Sequence, residues 1–103
     1  MRTRSIEPSE LRERVRRVLP EMTELRRQLH RIPEPGLQES RTAELVRRRL
    51  QAAGVELLPP YLATDTVGLL RGRAQAAPVA PAAPAIPRCV LLRADIDALH
   101  IQE

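Results

Sequence analysis

The amino-acid sequence predicts an α/β fold in which two amphipathic helices precede about three short strands. Apolar residues recur at helical spacing in the first half of the chain, and short apolar runs bounded by Gly or Pro occupy the second half. The last of these runs is continuously apolar, which is typical of a strand buried on both faces. Because such a strand needs covering elements and so few strands rarely stand alone, we expect the 103 residues to be an incomplete part of a larger domain.

The first predicted helix carries one apolar stripe whose members alternate at spacings of four and three residues. These members are Leu11, Val15, Val18, Met22, Leu25 and Leu29. Ser5 or Ser9 is expected to cap the helix start, and the stripe ends at His30. Pro20 has no backbone N–H to donate, so a kink or two abutting helices are expected there.

The second predicted helix runs from about Ser40 to Ala53. Ser40 is a plausible N-cap residue, and Gly54 is a plausible stop in the left-handed conformation. The expected buried stripe comprises Ala43, Val46, Leu50 and Ala53.

Three strands and one long connection are predicted in the second half of the chain. The strands are residues 55–58, 66–70 and 89–92, and Cys89 is expected to be a small buried apolar residue. Residues 74–87 consist almost entirely of Ala and Pro, which predicts a flexible, partly polyproline loop.

Composition and charge exclude several classes of protein. All 17 basic residues are Arg and the net charge is +4, yet pairs such as Glu10 with Arg14 and Glu13 with Arg17 have the spacing of a solvated helix face. Because the chain has no Phe or Trp to stack on bases, we expect no nucleic-acid binding. One cysteine forms no intramolecular disulfide, and neither a signal peptide nor a membrane span is apparent, so a soluble cytoplasmic protein is expected.

Two aspartates follow the last predicted strand, where α/β sheets commonly bind ligands. On extended backbone, Asp95 and Asp97 point the same way and are about 7 Å apart. They could hold a cation or orient a metal-ligating histidine, or simply make a turn.

Each of the other polar residues allows both a structural and a functional interpretation. His30 is either a packed residue near a helix end or a ligand, and His100 forms an Asp-x-x-His spacing with Asp97. Glu34 and Glu39 lie in a loop rich in Pro and Gly, where surface or capping roles are expected.

Four ordered motifs resemble the bacterial metal-dependent amidohydrolases, a family that includes hippurate hydrolase, N-acyl-amino-acid amidohydrolases and auxin-conjugate hydrolases. The motifs lie in residues 25–39 (LRRQLHRIPEPGLQE), 41–55, 65–72 (DTVGLLRG) and 92–103 (LRADIDALHIQE). Pro35 and His100 stand where the family usually has Leu and Pro.

The resemblance implies the N-terminal part of a zinc-peptidase-like catalytic domain over residues 1–103. It implies a complete enzyme, homo-oligomeric and dependent on a divalent metal (Zn²⁺ or Mn²⁺), that hydrolyses small N-acylated amino acids. Asp97 corresponds to the carboxylate that orients a metal-bound histidine. Asp95 falls where related metallopeptidases carry a ligating histidine, so no metal ligand is assigned within this chain. A catalytically inactive truncated product and a small Arg-rich binding module remain as alternatives.

Overall fold

A computed structural model describes residues 5–72 and 89–101. Its elements are α1 (Pro8–His30), α2 (Ser40–Ala52), β1 (Glu56–Leu58) and β2 (Val67–Leu69). The two strands form an antiparallel pair in which Glu56 lies opposite Leu69, and Leu58 lies opposite Val67. Two helices and a small sheet agree with a partial α/β fold.

Helix α1 is one continuous helix that includes Pro20, so the alternative of two abutting helices is wrong. A single proline removes one backbone donor, and the turns on either side keep their own hydrogen bonds. The residue at the N-cap is Glu7, with Pro8 following as the first helical residue and no side-chain cap. Neither Ser5 nor Ser9 caps the helix, because the fixed φ of Pro8 already favours the first turn. No residue of α1 is buried.

Helix α2 ends at the predicted glycine. Gly54 has φ 81°, and its N–H donates to the Gln51 carbonyl at 3.0 Å, while the Val55 N–H donates to the Leu50 carbonyl at 3.0 Å. This is a Schellman motif, which satisfies the last carbonyls of the helix and turns the chain into β1. At the other end Glu39 is the N-cap residue, so the expected cap at Ser40 is wrong.

Helix α2 packs against β1, and small residues allow the close approach. Ala43 is fully buried, and among the described residues it is the one apolar residue that is. A Cβ atom added to Gly68 would lie 2.8 Å from Val55 Cγ1 and 3.7 Å from Leu50 Cδ1, so a side chain at this position would require Val55 to shift. Ala53, expected in the buried stripe, is exposed because it is already the C-cap residue.

The third predicted strand is absent from the described residues. Residues 89–92 form neither helix nor strand, and Val90, Leu91 and Leu92 are 86%, 86% and 93% exposed. Cys89 is exposed as well, so its expected burial is wrong. A strand requires a hydrogen-bonded neighbour, and the described β1–β2 pair does not extend to this segment. The predicted loop at residues 74–87 lies outside the described residues.

Candidate functional site

An open cleft of about 1250 Å³ lies where the end of α1 and the following loop meet residues 98–101. The Ala98 N–H donates to the backbone carbonyl of Glu34 at 2.8 Å. This hydrogen bond brings together two of the four motifs, the Pro/Glu loop after α1 and the Asp-x-Asp segment. His30 and His100 both line the cleft, beside apolar side chains from the two segments.

The carboxylate of Glu34 caps helix α2 from outside the helix. Its Oε1 accepts the Thr42 N–H at 2.6 Å and the Thr42 hydroxyl at 2.7 Å, and its Oε2 accepts the Arg41 N–H at 3.2 Å. The hydroxyl of Thr42 is the main cause that holds the pKa of Glu34 below its ordinary value, against the opposing effect of burial. The capping role expected for Glu34 is therefore confirmed, and an anion sits at the positive end of the helix.

Glu39 is a buried carboxylate at the start of α2, with 7% of its surface exposed. Hydrogen bonds from its own backbone N–H and from the Thr64 hydroxyl lower its pKa, although burial and the nearby Glu34 oppose them. Its Oε2 atom has no hydrogen-bond partner among the described residues. The surface interpretation of Glu39 is wrong, because Thr64, also buried, comes from a loop 25 residues away in sequence.

Arg47 holds the loop between the two strands onto α2. Its guanidinium donates to the backbone carbonyls of Ala63 at 3.1 Å and Asp65 at 2.5 Å, and to the Thr66 hydroxyl at 3.2 Å. In the sequence, Arg47 is the first of three consecutive arginines in the second predicted helix. Its position one turn from Ala43 on the buried side is the signal that indicates an inward-facing guanidinium.

Asp65 stabilises the loop between β1 and β2 through hydrogen bonds within the loop. Its carboxylate accepts the Tyr61 N–H at 2.9 Å and the Leu62 N–H at 2.7 Å. Burial raises the pKa of Asp65, but the backbone donors of Tyr61, Leu62 and Asp65 itself, together with the charge of Arg47, outweigh it, and the net pKa is lowered. The ionised carboxylate thus completes a loop whose backbone atoms are bound by two charged groups, Arg47 and Asp65.

The two aspartates singled out by the sequence are exposed and do not line the cleft. Asp95 pairs with its neighbour Arg93 at 3.4 Å. Asp97 directly precedes Ala98, whose N–H donates to the Glu34 carbonyl. No group of three or more His, Cys, Asp or Glu side chains in residues 5–72 and 89–101 is arranged to hold a metal ion, so the described side chains do not fit a metal centre.

Two arginines of α1 pair with glutamates one turn away, as expected. Arg14 binds Glu10 at 2.7 Å and Arg17 binds Glu13 at 3.3 Å, all on the exposed face of α1. Such exposed pairs contribute little stability, but they neutralise much of the basic charge on this face. Within the described ranges no helix is long and apolar enough to cross a bilayer.

Curated relatives match most of this chain. N-acetylcysteine deacetylase of Bacillus subtilis is 38% identical over 80 residues, which is 77% of this chain and 18% of the relative. IAA-amino acid hydrolase ILR1-like 2 of Arabidopsis thaliana is 35% identical over 82 residues, 80% of this chain and 16% of the relative. Thermostable carboxypeptidase 1 of Saccharolobus solfataricus is 34% identical over 94 residues, 90% of this chain and 21% of the relative.

The chain therefore spans about a fifth or less of the length of these relatives. No family model matches it, and no solved structure matches it. The matching enzymes are nevertheless all named as hydrolases, a deacetylase or a carboxypeptidase, and identity of 34–38% extends over most of this sequence. The chain is thus homologous to a segment of the amidohydrolase family that includes the IAA-amino acid hydrolases and the N-acetylcysteine deacetylases.

Proposed function

We propose that this chain is a segment of a metal-dependent amidohydrolase that cleaves the amide bond of small N-acylated amino acids. The names of two relatives support the substrate class, since one is a hydrolase of IAA-amino acids and the other a deacetylase of N-acetylcysteine. As the resemblance implies, the proposed enzyme is homo-oligomeric and uses Zn²⁺ or Mn²⁺. Its proposed compartment, from the cysteine usage, is the cytoplasm.

The observation that carries the proposal is the 34–38% identity to named hydrolases over most of the chain. The hydrogen bond between the Ala98 N–H and the Glu34 carbonyl supports it. Glu34 is itself fixed by its carboxylate at the start of α2. The bond therefore connects the Asp-x-Asp segment to the loop that caps α2, although residues 89–92 form no strand. Two of the four motifs that the resemblance rests on are therefore parts of one arrangement.

In this proposal the chain contributes a carboxylate that orients a metal ligand, and it does not itself supply the metal ligands. The proposed role of Asp97, which lies next to the hydrogen-bonded Ala98, is to accept the ring N–H of a metal-bound histidine from elsewhere in the enzyme. The described residues lack a ligand cluster, so no reaction step is assigned to them.

The proposal makes opposite predictions for the chain alone and for a chimera. The purified 103-residue chain should not hydrolyse hippurate or N-acetylcysteine, with or without added Zn²⁺ or Mn²⁺. In the chimera, this chain replaces the matching 80-residue segment of the Bacillus subtilis deacetylase, and metal-stimulated turnover is expected. The unmodified deacetylase is the control. A folded, metal-loaded chimera that releases no acetate would contradict the proposal.

A further inference from the structure

Two prolines restrict the backbone around Glu34, in the loop that joins α1 to α2. Pro33 and Pro35 flank this residue, and each proline ring fixes its own φ. A residue that precedes proline is also largely restricted to extended conformations. Few backbone conformations are therefore available to Glu34, and the direction of its carbonyl group is set by the chain on both sides of it.

The side chain of Glu34 holds the same residue on helix α2. The residue is half-buried, and its carboxylate accepts the backbone N–H groups of Arg41 and Thr42 and the Thr42 hydroxyl at 2.6–3.2 Å. Charge-assisted hydrogen bonds of this kind are stronger than neutral ones. Glu34 is thus fixed both by its proline neighbours and by the first turn of α2.

A single peptide group connects Glu34 to Asp97. The Ala98 N–H donates to the Glu34 carbonyl at 2.8 Å. A peptide group is planar, and the Cα atom of the preceding residue is one of its six atoms. The hydrogen bond that holds the Ala98 N–H therefore also holds the Cα atom of Asp97. The exposed Asp97 side chain consequently starts from a backbone position that Glu34 determines.

We propose that Glu34 is a positioning residue for Asp97, because its carboxylate is bound to α2 while its carbonyl holds the Asp97 backbone. This inference rests on the proposed function of Asp97, but the connection itself can be measured in the chain alone. Glu34 does not contact the substrate in this proposal. Its effect on turnover passes through Asp97, so substitutions of the two residues should not have independent effects.

The first test measures the connection without catalysis, by amide hydrogen exchange of the whole 103-residue chain followed by NMR. Glu34→Ala should raise the exchange rate of the Ala98 amide about fivefold, since the loop that carries its acceptor is no longer held on α2. Thr42→Val removes the hydroxyl donor and should have a smaller effect in the same direction. Thr42→Ser keeps the hydroxyl and should leave the rate unchanged.

The second test is a double-mutant cycle in the deacetylase chimera. Glu34→Ala should lower kcat about tenfold, because a displaced carboxylate orients its partner less well. In an Asp97→Asn background the same substitution should lower kcat by less than about twofold, since the group that Glu34 positions is already lost. Arg47→Ala, which loosens the loop between β1 and β2 without touching Glu34, is the control for general destabilisation. It should change kcat by the same small factor in both backgrounds.

Two results would overturn the proposal. One is an Ala98 exchange rate that Glu34→Ala leaves unchanged. The other is a folded chimera in which the effects of Glu34→Ala and Asp97→Asn on kcat are additive, which would mean that Glu34 only stabilises the fold. Circular dichroism establishes that each variant is folded. A chimera that is inactive before any substitution would instead contradict the proposed function, and the exchange rate of Ala98 would still decide whether Glu34 holds the Asp97 backbone.

Discussion

Residues 34–72 and residues 89–101 differ in how their backbones are held, although the second segment is the more apolar of the two. In the first region, side chains of Glu34, Arg47 and Asp65 bind backbone atoms of neighbouring turns at 2.5–3.2 Å. In the second region, one backbone hydrogen bond joins Ala98 to the rest of the chain, and Leu92 is 93% exposed. In this chain, hydrophobicity alone therefore does not fix a segment, whereas charged groups that bind the backbone do.

The composition accounts for this difference. With no Phe or Trp and a single Tyr, the chain lacks the large side chains that usually provide much of a core's buried area. Ala43 is the buried apolar residue of the described region. Charge-assisted hydrogen bonds are stronger than neutral ones, so they stabilise the α2–hairpin region where apolar burial is small.

The largest expected effect belongs to the exposed segment, residues 89–101. In the deacetylase chimera, Asp97→Asn should lower kcat about 10- to 100-fold, the size of effect typical for carboxylates that orient a metal ligand. The substitution keeps the side-chain size and removes the charge. Asp95→Asn should cost less, because Asp95 already pairs with Arg93 on the surface. Steady-state kinetics with metal analysis on both variants measures this difference.

His100→Pro is the matched comparison for Asp97→Asn, since it introduces the usual family residue. It should leave kcat and metal content unchanged. Equal damage from Asp95→Asn and Asp97→Asn, or loss of metal in His100→Pro, would show that the roles within residues 95–100 are assigned wrongly.

The same comparison shows what the sequence could predict. The helices and the two strands were predicted within about two residues, because periodicity and Gly54 are local signals. The contacts that Glu39 and Arg47 make with the loop before β2 were not predicted, since that loop is 16–25 residues away in sequence. The strand at residues 89–92 was predicted from apolar composition alone, which contains no information about a pairing partner. The motif resemblance identified the Asp-x-Asp segment, but not its hydrogen bond to Glu34.

Within residues 34–72, Arg47→Ala should cause the largest loss of stability. It removes hydrogen bonds to two carbonyls and one hydroxyl, and hydrogen bonds to charged groups contribute about 1.5–3 kcal/mol. We expect a decrease of about 2 kcal/mol in the free energy of unfolding, measured by urea denaturation. Arg48→Ala removes only an exposed pair with Glu44 and should change stability by less than about 1 kcal/mol.

Gly68→Ala tests whether close approach is needed in β2. The added Cβ would lie 2.8 Å from a methyl group of Val55. Overpacking usually costs about 1–3 kcal/mol, and the lower half of that range is expected because a side chain can shift. Gly72→Ala is the control, since nothing lies within 4 Å of its added Cβ. Equal urea midpoints for the two variants would show that β2 can move away from Val55.

The hydrogen-bonded carboxylates predict loss of stability in acid. Hydrogen bonds lower the pKa of Glu34, Glu39 and Asp65 in the folded chain. Their stabilising contribution is therefore fully present above the unfolded pKa, which is 4.5 for Glu, and is lost as the pH falls through the folded pKa. The free energy of unfolding, measured from pH 7 down to pH 3, should therefore decrease as the pH falls below the unfolded pKa. Glu34→Gln should make this decrease smaller. An unchanged slope in Glu34→Gln would mean that its capping bonds do not persist in solution.

The smallest expected effect is the most direct test of the difference between the two regions. Leu91 is 86% exposed, so Leu91→Ser removes little buried surface and should change the unfolding free energy by no more than about 0.5 kcal/mol. Leu57→Ser is the matched substitution in β1, where the side chain is partly buried opposite Gly68, and it should destabilise the chain by more. Urea unfolding followed by circular dichroism compares the two variants. If Leu91→Ser were the more damaging, residues 89–92 would have to pack in solution, and the contrast between an ordered hairpin region and an exposed apolar segment would fail.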